Sequence, residues 1–164
     1  MQKAIGSKIN LLDFNNTLAF EFFSCVSDLI NHPLFKKLDN FSQHIKTSRL
    51  QHSINVAYYS FLICKFLKLD YKSAARGGLL HDFYLYDWRT QKQPEGYHAK
   101  AHPIIALRNA NKITHINKIE KNCILRHMWP LTPIPPRYLE SFIVSCIDKY
   151  CASFEVIINM FAKE

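Results

Sequence analysis

The stretch "GGLLHDFYLYDW", residues 77–88, sets His81 beside Asp82 directly after two glycines and two leucines. Both side chains are costly to place beside a core. Burying a polar group without a partner costs roughly 2–7 kcal/mol by transfer estimates. Asp70 is a good cap for a helix read over 71–83, so the pair sits near that helix's end. Adjacent side chains on a helix point about 100° apart. They can still reach a common ion if it lies at the helix end. Gly77 and Gly78, poor helix formers, are expected there to let a neighbouring helix approach closely.

Outward from this pair, the chain reads as helices joined by short loops. Residues 14–30 have helical apolar spacing, and His32-Pro33 ends that segment. Residues 48–68 follow a Thr47 or Ser48 cap, and Leu50, Ile54, Tyr58, Leu62 and Phe66 step by four. Residues 84–100 carry Pro94 and Gly96 without a clear period and read as a loop. A helix is expected to start at Pro103, a favoured first-turn residue. Further helices are read over 116–128 and 137–160, separated by the proline-rich "WPLTPIPPR". Alternating polar and apolar runs are few. The expectation is a single all-α domain over residues 1–164, with at least five helices and no sheet of three or more strands.

Composition narrows the functional classes. At 164 residues the chain can bury a real core, and 48% apolar with 21% charged residues is ordinary for a soluble globular protein. No apolar run approaches the ~20 residues that span a bilayer. The first residues lack the apolar stretch and cleavage site of a secretory signal. Five cysteines, odd in number and without a C-x-x-C pair, read as reduced thiols in a cytoplasmic protein. A net charge of +8 favours anionic partners, and the lysines are scattered rather than clustered.

The histidines carry the chemistry. His32, His44 and His115 lie in polar or connecting stretches and read as surface or capping residues. His52, His81, His102 and His127 each sit on or beside an apolar helix face. One such histidine is ordinarily a satisfied core residue. Four of them, with Asp82 and Asp148 in similar settings, need several partners at once, and a metal ion supplies them. Imidazole with carboxylate suits iron, manganese, zinc or nickel.

In order, His52, His81-Asp82, His102, His127 and Asp148 resemble the ligand set of the HD superfamily of metal-dependent phosphohydrolases. The local words agree: "RLQHSINVA", "AARGGLLHDF", "HPIIAL", "ILRHMWP" and "IVSCIDKY". The resemblance covers about residues 48–152, with flanking helices at both ends. It implies an HD-type helical bundle whose ligands converge on a central cleft. Because His102 and His127 resemble the extra histidines of dinuclear members, it implies two divalent ions, iron or manganese first and nickel or zinc next. Asp82 would bridge them, with His52, His81 and Asp148 on one ion and His102 and His127 on the other.

The function this resemblance implies is hydrolysis of a phosphate ester or anhydride by a metal-activated hydroxide. The substrate would be a nucleotide, dinucleotide or other small phosphorylated metabolite. Asp82 would be central to catalysis. Arg49, three residues before His52, and Lys149, beside Asp148, would hold the phosphate and stabilise charge. His98, four residues before His102, is read as a loop residue above the site, in contact with substrate. The aromatic cluster Phe83, Tyr84, Tyr86, Trp88 and Trp129 is a candidate surface for stacking a base. Two departures stand out: Phe83-Tyr84-Leu85 replaces the Ile-Gly-Lys that often follows the His-Asp pair, and Met128 with "WPLTPIPP" replaces the words of the cyclic-dinucleotide branch. The alternatives are a dinuclear-iron oxidoreductase of the same superfamily and a metal-bearing sensing module without turnover. No membrane or nucleic-acid partner is expected, and a homodimer is compatible with this reading.

Overall fold

The computed structural model describes residues 3–44, 46–91, 94 and 96–161. The side chain of His44, and residues 92, 93 and 95 of the expected loop, lie outside that set. Among the described residues there are seven α-helices and one two-stranded ribbon. The helices are α1 (Thr17–Ile30), α2 (Pro33–Lys36), α3 (Arg49–Phe66), α4 (Tyr71–Leu80), α5 (His98–Ala110), α6 (Lys118–Arg126) and α7 (Leu139–Phe161). The ribbon pairs β1 (Ser42–His44) with β2 (Thr47–Ser48) antiparallel. The fold is thus mostly helical, as the periodicity implies. No helix among the described residues is long and apolar enough to cross a membrane.

Local chemistry sets the helix starts. Asn16 accepts from the Leu18 and Ala19 amides at the head of α1. Ser48 accepts from Gln51 N–H and Asp70 from Ser73 N–H, capping α3 and α4. His32, one of the expected capping histidines, accepts from Leu34 N–H at α2, whereas His115 is exposed. Asn117 and Glu120 form a reciprocal capping box on α6.

α3 is the central post. It is buried on most sides, which is why its apolar stripe is broken by buried Arg49, His52, Ser53 and Asn55. Its Tyr58 and Phe61 meet Phe22 of α1 edge-on at 5.4 and 5.6 Å. Leu79 and Leu80 of α4 and Ile124 of α6 complete that core. A second cluster, Val56, Cys123, Val144 and Cys151, joins α3 to α6 and α7. All five cysteines are free thiols.

Two expectations shift. α4 stops at Leu80, so His81 is its C-cap and Asp82 already lies in the turn beyond. α5 starts at His98 rather than at Pro103, which stands inside the helix. Proline there removes one amide but leaves the helix intact on both sides. His98 and His102 therefore share a face.

The glycines act as expected. A Cβ at Gly77 would lie 2.6 Å from Cys123 Cβ of α6, and one at Gly78 would lie 3.1 Å from Ala57 Cα of α3. α4 is seated against both helices by the absence of those two carbons. Gly77→Ala should therefore lower stability by about 1–3 kcal/mol through overpacking, although alanine is favoured by about 1 kcal/mol in an open helix. A urea midpoint that stays level or rises would contradict this seating.

Candidate metal centre

Four helix ends and one helix middle bring the histidines and aspartates together. His52 comes from the first turns of α3, His81 and Asp82 from the end of α4, His102 from α5, His127 from the end of α6, and Asp148 from the middle of α7. His52, His81, Asp82, His102 and His127 are buried, and Asp148 is nearly so. Their ligand atoms fall into two groups that share His81. In one, His52 Nε2 lies 3.1 Å and His81 Nε2 3.5 Å from Asp148 Oδ1. In the other, Asp82 Oδ1 lies 3.3 Å from His102 Nε2 and 3.6 Å from His127 Nε2. Asp82 turns its second oxygen, Oδ2, toward His81 Nε2 at 3.6 Å. The groups His52–His81–Asp148 and His81–Asp82–His127 are each compact enough to hold a metal ion.

The tautomers are set by the helices. His81, His102 and His127 direct Nδ1 at the backbone carbonyls of Gly78, His98 and Ile124, at 2.7, 2.7 and 2.8 Å. A carbonyl only accepts, so each Nδ1 carries hydrogen and, in the neutral ring, Nε2 offers a lone pair to the centre. His102 Nε2 and His127 Nε2 face each other at 2.7 Å. Two lone pairs at that distance repel unless a cation or a proton stands with them. His81 Nε2 is buried and has no hydrogen-bond partner among the described residues. These donors fit a divalent metal ion of the kind that binds imidazole and carboxylate.

Charge balance points the same way. Burial lowers the His52 pKa, but Asp148 and Glu155 outweigh it and hold it at about 10. His81 is likewise raised against burial, by Asp82 and Asp148. Burial pushes His127 down to about 3, helped by His102 and His81, and lowers His102 too. Burial works to raise the pKa of Asp82 and Asp148, yet the surrounding imidazoles hold both carboxyls well below their ordinary range. The carboxylates demand positive charge here, and a proton or a metal ion can supply it.

Two residues outside the expected set support the candidate ligands. Glu155, on α7 two turns beyond Asp148, places both carboxylate oxygens 3.0 and 3.1 Å from His52 Nδ1. It is fully buried and also accepts from Asn55 Nδ2 at 2.7 Å. Its signal in the sequence is an acid seven residues after Asp148 in the apolar run "SFEVIINMF". Gln43 of β1 donates from Nε2 to Asp82 Oδ2. Its Oε1 accepts from Arg49 Nε at 2.9 Å and from the Tyr84 hydroxyl at 3.3 Å, so its amide can face Asp82 only one way.

The two expected basic residues differ in placement. Arg49 is fully buried. Its Nη1 donates to the Tyr84 and Tyr86 carbonyls at 2.7 and 3.2 Å, and its guanidinium lies 3.5 Å over the Tyr84 ring. Arg49, expected to hold phosphate, thus has Nε and Nη1 engaged with Gln43 and the loop after Asp82. Lys149 borders the cavity, together with Asp82, His102, His127 and Asp148. Its ammonium donates to His127 O at 2.7 Å and to Ser145 O and Oγ at 3.0 Å, closing the end of α6.

That cavity measures about 520 Å³, with Asp82, His102, His127 and Asp148 in its wall. His98 also borders it, stacked between Trp88 and His102 with ring centroids 4.9 and 4.4 Å away. Its Nδ1 meets the Tyr86 hydroxyl at 3.3 Å, and burial followed by His102 lowers its pKa to about 4. Of the aromatic cluster, Trp88 alone among the described residues borders the cavity; Phe83 and Tyr84 are core. Arg89, not foreseen, adds a second cation to the wall.

The chain matches no family model, no curated protein and no solved structure.

The pKa directions fix the pH profile of the metal-free chain. On acidification through about 6.5, His98, His102 and His127 take up protons when unfolded and resist them when folded, so stability falls with falling pH. Above about 6.5, folded His52 keeps a proton that the unfolded chain releases, so its contribution declines toward pH 10. Metal-free stability should therefore peak near pH ~6.5, read as denaturant midpoints across pH in chelator. A steady rise from about pH 6.5 to about pH 9 would contradict it.

Proposed function

We propose that the chain is a metal-dependent phosphohydrolase of the HD type, acting on a small phosphorylated metabolite such as a nucleotide. The observation that carries this reading is the cluster of inward-facing imidazole nitrogens and carboxylates in the wall of an open cavity edged with positive charge. His52, His81 and Asp148 would hold one ion; His102 and His127 would hold a second, with Asp82 shared between them. When bound, such ions acidify water toward neutrality and neutralise phosphoryl charge.

The chain's own residues supply the rest. Gln43 fixes Asp82 by its amide, and Arg49 fixes Gln43. Asp82 faces both groups at once, one oxygen to each, which suits a shared ligand. Lys149 and Arg89 place positive charge on the wall where an anion would enter. His98, neutral at pH ~7 and stacked between Trp88 and His102, borders the cavity by its edge and would contact substrate there. A cavity of this size suits a single metabolite rather than a polymer.

A phosphate-release screen over nucleotides and dinucleotides, with manganese and with iron under reducing conditions, tests the reading. At least one ester or anhydride should be hydrolysed, and chelator should abolish it. Oxygen consumption by the iron-loaded chain with no hydrolysis would give the oxidoreductase reading instead.

Variants separate the ligands. Asp82→Ala removes the carboxylate that faces both groups and should lose at least one ion per chain together with turnover. His102→Ala removes one neutral donor and should be milder. Two retained ions with near-normal turnover in Asp82→Ala would end the shared-ligand assignment.

A further inference from the structure

We infer that Glu155 makes the two cation positions unequal, so that the His52–His81–Asp148 group takes the first ion tightly and the Asp82–His102–His127 group takes a second more weakly. The inference rests on the two-ion reading above. Among the described residues, His52 is the one of the four histidines with a carboxylate behind it. His81, His102 and His127 are backed by neutral carbonyls at 2.7–2.8 Å. A hydrogen bond to a carboxylate is stronger than one to a neutral acceptor. A ring that donates Nδ1–H to a carboxylate becomes a more basic donor at Nε2 and is held in one orientation.

The charges divide in the same sense. The first group has Asp148 in direct contact and Glu155 one ring behind it. The second has Asp82, and the other oxygen of that residue is already turned to Gln43 and His81. Glu155 is also pinned. It is fully buried, and Asn55 Nδ2 donates to Oε1. Asn55 Oδ1 in turn accepts from the Ile5 amide at 3.0 Å and from Gln51 Nε2 at 2.8 Å, so the Asn55 amide cannot flip without losing both. Glu155 thus acts through His52 as a positioning residue and touches neither substrate nor ion.

The test is equilibrium binding of Mn²⁺ to the full metal-stripped chain, with free Mn²⁺ read by electron paramagnetic resonance. Wild type should show two classes of different affinity. Glu155→Gln should weaken the tighter class about 10–100-fold and leave the weaker class unchanged. His102→Ala should do the reverse, abolishing the weaker class and sparing the tighter. Glu155→Gln also breaks the buried Glu155–His52 pair and should lower the metal-free thermal midpoint, so it is the weakening of one class with the other unchanged that separates an effect on the ion from general damage. If that variant does not fold, Asn55→Ala, which frees Glu155 without removing it, should weaken the same class by a smaller factor.

Two classes of equal affinity, or a Glu155→Gln variant in which both classes weaken alike or neither moves, would overturn the inference while leaving two ions in place. A single ion per wild-type chain would overturn it together with the two-ion reading. No binding at all would remove the metal centre itself.

Discussion

Three carboxylates, those of Asp82, Asp148 and Glu155, are gathered at the middle of a helical core, and positive charge must be found for them there. This constraint organises the rest of the chain. Four imidazoles face the two aspartates, and the fully buried Arg49 lies one residue further out, reaching Asp82 through Gln43. An uncompensated buried charge costs far more than any single packing contact returns. The helices must therefore deliver these side chains together or not fold around them. Helix ends contribute much of this delivery. His81 and His127 are C-caps, and each ring bonds back to a carbonyl of its own last turn. That bond both closes the helix and aims the free nitrogen inward.

The packing serves the same end. α4 reaches the centre because Gly77 and Gly78 let it lie against Cys123 and Ala57. The ribbon β1–β2 is short, yet it carries Gln43 across to Asp82 and feeds the chain directly into α3 through Arg49 N–H to Phe41 O at 2.8 Å. Arg49 then ties the loop after Asp82 to the head of α3. The centre is thus held from two directions: from below by Glu155 and Asn55, and from the cavity side by Gln43, itself held by the buried Arg49, and by Lys149.

Much of this is legible in the sequence, for a physical reason. Helix periodicity and caps depend on neighbours within a few residues, so the bounds expected for α1, α3, α4, α6 and α7 lie close to those of the structure. The ligand residues stand out because polar side chains in apolar helix faces are expensive and hence informative. What stays hidden depends on tertiary partners. Glu155 looks like an ordinary acid on an amphipathic helix until α7 is laid against His52. Arg49 has the spacing of a phosphate ligand, but burial turns its guanidinium to carbonyls. Gln43 lies in a strand too short to have a period. Pro103 reads as a first-turn proline because that is its commonest helical position, whereas backbone bonds of the preceding residues, such as Ala101 N–H to Tyr97 O, extend α5 backward. Membership of the HD superfamily rests on the ordered ligand words and on their agreement with the cluster, and it remains a proposal.

The most direct measurement is anomalous X-ray diffraction from crystals of the full chain loaded with Mn²⁺. The two-ion centre predicts two anomalous peaks about 3.5–4 Å apart, one among His52, His81 and Asp148 and one beside His102 and His127, with Asp82 between them. A loaded crystal with no peak inside this cluster would contradict it.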